Sequence, residues 1–440
     1  MRLFDIMKKI KIITLGCDKN LVDSEVIAGV LSDKYEISPD FESGEAVLIN
    51  TCGFIGDAKK ESIDAVLNAI EDKKNGKFKK VFLTGCLIQR YFKELKKEFK
   101  EADGFFRLGE VQKIADSLGV ENSDQKNPFC SRIALEHDHI AYIKIADGCD
   151  HKCSYCAIPG IRGRYRSRSI NSIMEEAETL LSGGRVKEII LVGQEISSYG
   201  KDINIRSGIN ELLKELSGLC GNERWIRLLY THPPVVKKDF IETVAAHDNI
   251  CNYLDFPVQH TETAILGMMK RGDSAQKIIS NIKMMRGIIP DIAVRTSIIA
   301  GFPGESRKIF NSMKKHISEI RFDRLGVFPY SREEGTPAFG MGGQISKRTA
   351  VKRAGEILDL QREISYEKNL ELTGTVQRVL IDRCEGGTSY GRTYRDAPDV
   401  DNEVIIHSEL KAGEFYNIRI DDVSEYELYG ANLTERTFPS

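Results

Sequence analysis

Short β-branched runs alternate with amphipathic stretches through the first third of the chain. Residues 10–15, 46–50 and 80–84 read as strands, and 21–31, 57–71 and 89–99 repeat their apolar positions at helical spacing. A βαβαβα succession predicts a parallel sheet wound with helices, because parallel strands need crossover connections. A polar stretch with Pro128, between residues 121 and 139, reads as a linker. Six further apolar runs follow at 143–146, 188–192, 225–230, 253–258, 294–300 and 324–330, separated by helix-period segments such as 173–181 and 275–285. Six β/α units predict an open, TIM-like (β/α)6 barrel, three quarters of the eight-fold form. Beyond Thr375, short strands are broken by Gly386-Gly387, Gly391, Asp396-Ala397-Pro398-Asp399, Gly413 and Gly430. About five strands in roughly 70 residues predict a small antiparallel β-barrel. The expected fold class is therefore α/β in three bodies, an open parallel-sheet domain (1–125), a partial barrel (140–368) and the small C-terminal barrel (369–440), with a linker (126–139) between the first two.

Composition fits this picture. With 440 residues, 41% hydrophobic and 29% charged, the chain can build several cores. The apolar runs are too short to cross a bilayer, and the N-terminus lacks the pattern of a secretory signal, so a cytoplasmic protein is expected. Ten cysteines in that compartment are expected to be ligands, nucleophiles or buried residues, not disulfides.

Each strand of the first segment ends in a cysteine: Cys17, Cys52 and Cys86. All strand C-termini of an open parallel sheet lie on one edge, where ligands bind, so residues about 35 apart meet there. Three thiols at one edge can hold an iron–sulfur cluster with one iron uncovered. Ordinary packing of buried cysteines is the alternative. Cys130, Cys220, Cys251 and Cys384 have no such company and are expected in cores.

Cys149, Cys153 and Cys156 stand in the run Asp147-Gly148-Cys149-Asp150-His151-Lys152-Cys153-Ser154-Tyr155-Cys156. A cubane is normally held by four thiolates, so three leave one iron open. A zinc knuckle would need a closed set of four ligands, and no second CxxC or His pair completes one. This run follows the first barrel strand, in a loop where such barrels place their chemistry. The other strand ends offer pocket candidates: Gly193-Gln194-Glu195, Gln259-His260, Gly301-Phe302-Pro303-Gly304-Glu305 and Tyr330-Ser331. Gln259-His260 could equally be a capped loop.

Three strand-end cysteines, then CxxxCxxC, then a small barrel: over nearly its whole length the chain resembles the methylthiotransferases of the radical S-adenosylmethionine (SAM) superfamily. Leu15-Gly16-Cys17-Asp18-Lys19-Asn20 and Ile299-Ala300-Gly301-Phe302-Pro303-Gly304-Glu305 carry the same likeness. The resemblance implies one [4Fe-4S] cluster on Cys17, Cys52 and Cys86, a second on Cys149, Cys153 and Cys156, and a C-terminal TRAM domain. It implies S-adenosyl-L-methionine bound near Tyr155; Gln194, Gln259, Gly301 and Tyr330, from the strand-end candidates, are the expected further cofactor contacts. Such an enzyme also needs a low-potential electron donor and a sulfur donor.

Two branches of the family compete, one modifying an adenosine of transfer RNA, the other the β-carbon of an aspartate in ribosomal protein S12. The run from Arg321 to Thr336 is similar to the protein-modifying branch; the RNA branch usually has proline and arginine where Glu333 and Glu334 stand. Charge points the same way. Residues 371–440 hold 7 basic and 14 acidic residues, a net of −7, whereas the segment 141–370 is net +7. An acidic small barrel repels RNA phosphates and suits a basic ribosomal protein, so transfer RNA is not the expected partner. A non-catalytic electron carrier is a rival from another class, but such proteins generally close their clusters with four cysteines.

Overall fold

A computed structural model describes residues 7–120 and 127–433. In the first body, the apolar runs form β1 (Lys8–Thr14), β3 (Gly44–Thr51) and β4 (Phe78–Gly85). They are joined at the edges by β2 (Tyr35–Ser38) and β5 (Gly104–Phe105), which the hydrophobic pattern did not predict. The order is β2-β1-β3-β4-β5 and every pairing is parallel. The central strands are buried on both faces, as a sheet covered by helices requires. The helices Asp18–Leu31 and Gly56–Lys74 supply that cover. The helix expected over 89–99 is instead two short pieces, Cys86–Arg90 and Phe92–Glu98, broken at Tyr91.

The described part of the linker is no free tether. The buried Arg132 guanidinium joins Glu25 of the first body to Glu176 of the helix Ile170–Ser182. Gly29 lies so close to the carbonyl of Ser131 that any side chain there would collide with it.

In the second body, β6 (Ile140–Lys144), β9 (Glu188–Val192), β10 (Trp225–Leu228), β11 (Tyr253–Asp255), β12 (Ala293–Ala300) and β13 (Arg324–Pro329) are the six predicted strands. Two parallel three-stranded sheets, β10-β9-β6 and β11-β12-β13, meet through an Ile226–Ile250 bridge. The wall is curved and open between β6 and β13. A small antiparallel pair, β7 (Ala146–Asp147) and β8 (Arg166–Ser167), brackets the CxxxCxxC loop.

The 24-residue helix Lys347–Leu370 leads to the third body. There β14 (Val376–Glu385), β15 (Thr388–Arg392), β16 (Glu403–Ile406), β17 (Phe415–Val423) and β18 (Glu427–Asn432) close a five-stranded barrel in the order β14-β15-β16-β18-β17. Gly386 and Gly387, at φ 57° and 79°, make the tight turn of the first hairpin. One pairing, β16 with β18, is parallel, so the barrel is not wholly antiparallel.

This small barrel plugs the N-terminal end of the larger one, and its contacts fall on the first residues of successive strands. Arg392 bonds Glu188 at 2.9 Å, Phe415 packs edge-on to Trp225 at 4.7 Å, Asp401 accepts from Tyr253 Oη at 2.8 Å, and Asp396 pairs with Arg324 at 2.6 Å. Part of the small barrel's acidity is used in this junction. Asp382, Asp396 and Asp401 spend their charge on His139, Arg392, Arg324 and Arg295, at the end of the barrel remote from the loop cysteines.

Candidate active site

The N-terminal cysteines sit at strand-to-helix junctions. Cys17 caps the helix Asp18–Leu31, Cys52 follows β3 directly, and Cys86 opens the helix Cys86–Arg90. Cys52 and Cys86 are buried and Cys17 half-buried. They are close enough that the negative charge of one would oppose ionisation of the next. Gly16, at φ 100°, makes room for them: a Cβ there would lie 2.8 Å from the Cys52 sulfur.

In the second set, Cys153 is buried and Cys149 and Cys156 half-buried. Burial pushes the thiols up, to about 11 at Cys86 and Cys149 and about 12 at Cys156. Arg271, buried beside them, donates to Cys153 Sγ at 3.9 Å, to Tyr155 Oη at 3.3 Å and to the Pro257 carbonyl at 2.5 Å.

Each triplet suits an iron–sulfur cluster as a donor set, since soft thiolates select such centres. Among the described residues no three His, Cys, Asp or Glu side chains close on one metal-ion position. A cubane spreads its ligands over separate iron corners, so its thiols stand farther apart than those around one ion.

Arg162 joins the two sets. It lies six residues after Cys156 and is buried. Its guanidinium donates to Asn20 Oδ1 at 2.7 Å, Asp23 Oδ2 at 3.1 Å and Asp147 Oδ1 at 3.2 Å, and is close enough to Cys86 to favour its thiolate. Lys144 also pairs with Asp23 and Asp147. Burial disfavours the Asp147 carboxylate, but Lys144 and Arg162 outweigh it and hold its titration below the usual range. Sequence reading missed Arg162. Its only signal was proximity to the cysteines, and two of its three partners, Asn20 and Asp23, are more than a hundred residues away.

The proposed cofactor contacts separate into groups. Tyr155 and Tyr330 share an apolar cluster with Ile299 and Phe302, with the Phe302 and Tyr330 rings edge-on at 5.3 Å. Gln194 has both amide atoms buried without a hydrogen-bond partner, and Tyr330 Oη is in the same position. Unpaired buried polar atoms are costly, so these mark places where a ligand would be welcome. Gln259 continues the sheet, its N–H bonding Ser297 and its carbonyl accepting from Ile299, at a strained φ of 67°. His260 is fully buried between Glu305, at 3.3 Å, and the Glu262 amide. Gly301 donates its N–H to Glu305 at 3.1 Å, and a side chain there would strike Ala350. His151 and His232 also went unnoticed; their rings stack at 3.7 Å, with His151 3.5 Å from Glu195.

One expectation is corrected. Cys220 and Cys251 are core residues, but Cys130 and Cys384 are only half-buried. Glu333 lies at the boundary between the first two bodies. It is buried, bonded to Lys59 at 2.7 Å and Arg90 at 3.0 Å, while Arg90 also holds the Glu334 carbonyl at 2.6 Å. Its carboxylate locks the first body onto the second.

A thiol triplet in the first loop of a partial parallel barrel defines a radical SAM enzyme. The Radical SAM superfamily model matches residues 143–317, flanked by Uncharacterized protein family UPF0004 over 9–107 and a TRAM domain over 373–432. The chain is 42% identical to the ribosomal protein uS12 methylthiotransferase RimO of Clostridium kluyveri, over 97% of this chain and 98% of that one. It is also 42% identical to that of a Thermoanaerobacter species, over 96% and 100%, and 39% identical to that of Clostridioides difficile, over 98% and 100%. The chain belongs to the ribosomal protein uS12 methylthiotransferase family. Its fold is similar to that of TsrM from Kitasatospora setae, a radical S-adenosylmethionine methyltransferase solved with cobalamin and a [4Fe-4S] cluster (TM-score 0.54, 15% identity, 84% of this chain and 80% of that one).

Proposed function

We propose that the chain methylthiolates the β-carbon of an aspartate in ribosomal protein uS12, using S-adenosylmethionine as radical source and methyl donor. Membership of the uS12 family over the full chain length supports the protein substrate over transfer RNA. The observation that carries the chemistry is Arg162, which ties the strand-end cysteines of one body to the thiol loop of the other.

In this reading Cys149, Cys153 and Cys156 hold one [4Fe-4S] cluster and Cys17, Cys52 and Cys86 a second, each with one iron free of protein. When bound, these groups and S-adenosylmethionine supply a hydrogen-abstracting radical and the methylthio group, chemistry no side-chain base could perform on an unactivated C–H bond. The protein's part is placement. Arg162 fixes the separation of the two sets, Tyr155 and Tyr330 give the cofactor an apolar wall, Gln194 offers it a donor and an acceptor, and Gln259 and Gly301 shape the strand ends beneath it. Burial at this junction limits quenching of a radical by solvent. A low-potential electron donor and a sulfur donor complete the reaction, and the cytoplasm is where the enzyme would meet them. Among the described residues no helix is long and apolar enough to cross a membrane.

The deciding experiment is mass spectrometry of uS12 and of bulk transfer RNA from cells with and without this gene. Loss of one methylthio group from uS12 alone is expected. Loss of methylthioadenosine from transfer RNA, with uS12 unchanged, would overturn the reading.

A further inference from the structure

The loops at the C-terminal mouth of the partial barrel carry six cations that stand outside the ion pairs of the described residues. Lys152 stands in the thiol loop, Arg166 in β8, Lys201 and Arg206 after β9, Lys237 after β10 and Lys270 after β11; all six are exposed. None of them forms an ion pair among the described residues. Of the carboxylates on the same loops, Asp150 pairs with Arg164 at 3.5 Å and Asp273 with Lys277 at 3.9 Å, while Glu195 and Glu262 meet histidines, His151 at 3.5 Å and His316 at 3.2 Å, so the cations stay in excess. Asp202 has no cation partner, and accepts from Ser167 N at 2.8 Å and Ser167 Oγ at 2.6 Å.

That contact also joins the loops into one surface, because Ser167 adjoins Arg166 and Asp202 adjoins Lys201. Further round the mouth, Lys201 and Lys277 both lie close enough to His232 to oppose its protonation, adding to the stronger effects of burial, Arg271 and His151. Asp396 and Asp401 of the small barrel do not offset this charge, since they sit at the opposite end of the strands.

Proteins that coat RNA are themselves basic, because neutralising phosphate supplies much of their affinity. A mouth ringed by unpaired lysine and arginine therefore repels a free ribosomal protein and attracts a phosphate backbone. We propose that this rim docks on ribosomal RNA, so that the enzyme takes its aspartate from uS12 already seated in the small subunit. The proposal rests on the uS12 reading above and deepens it.

The test uses purified, cluster-loaded enzyme, with intact small ribosomal subunits and isolated uS12 as separate substrates, and the variant K201E/R206E beside the wild type. The wild type should modify subunits faster than isolated uS12, and its affinity for subunits should fall steeply with salt. The variant should bind subunits about tenfold or more weakly, with a log–log salt slope shallower by about 1.5–2, the loss of roughly two phosphate contacts. Its cleavage of S-adenosylmethionine without protein substrate should match wild type, which shows that it folds. Equal or faster modification of isolated uS12, or an unchanged salt slope in the variant, would overturn the proposal while leaving the uS12 reading intact. Modification of neither substrate would sink both.

Discussion

Arg162 donates to Asn20 at 2.7 Å across the boundary between two bodies whose cysteines are separated by 63 residues at their nearest in sequence. Asn20 sits three residues past Cys17 and Arg162 six past Cys156, so this hydrogen bond links the segments that carry the two thiol sets. Replacing Arg162 with Ala should cost about 3 kcal/mol of stability, at the low end for a broken buried ion pair because Asp23 and Asp147 keep some access to water. Urea unfolding measures this. Arg162→Lys should recover only part of the loss, because one ammonium cannot serve three acceptors in a fixed plane. Full recovery with Lys would show that charge alone matters.

Glu333 should act on domain docking, not on substrate choice. Glu333→Gln removes the charge shared by Lys59 and Arg90, a loss of about 1.5–3 kcal/mol for hydrogen bonds to charged groups. Hydrogen exchange should quicken at Gly56–Lys74 and Cys86–Arg90 while the small barrel stays protected. A switch of substrate with unchanged exchange would contradict this assignment.

The two thiol sets are expected to fail differently. Cys153→Ala should abolish cleavage of S-adenosylmethionine, read as 5′-deoxyadenosine. Cys52→Ala should spare cleavage and stop methylthiolation. Complete methylthiolation by the Cys52 variant would remove the second cluster from the account.

Trp225, the single tryptophan of the chain, packs on Phe415 at the junction of the two barrels and reports on it directly. Burial opposes the charged forms of Glu188 and Asp382 nearby, but Arg227 and Arg392 prevail at Glu188, and Arg392 and His139 at Asp382, holding both below the usual carboxylate range. A lowered folded-state value means stability that is fully present above the ordinary carboxylate titration near pH 4 and lost as the pH falls below it. Tryptophan fluorescence should therefore hold steady from neutral pH to about 4 and shift red beneath that. A transition well above pH 5 would contradict this assignment.

The local pattern was a good guide wherever one strand or one spacing carried the information. Glu188–Val192 was legible to the residue, because five consecutive buried positions leave no other reading. The edge strands Tyr35–Ser38 and Gly104–Phe105 were not. They are short, half-exposed and apolar only in part, so their strand state comes from neighbours that pair with them. The strain at Gln259 and the crowding of Gly301 against Ala350 likewise arise only when distant segments pack.

By itself, the sequence determined the three bodies, the placing of three cysteines at one sheet edge, and the CxxxCxxC loop after the first barrel strand. These follow from periodicity and spacing, which are local. Only the tertiary structure decided what the charges do. Glu333 became a lock, the small-barrel aspartates turned into the junction, Arg162 bridged the thiol sets, and the mouth kept its unpaired cations. A charge acts through whatever lies within a few ångströms, and in this fold those partners are often a hundred or more residues away along the chain.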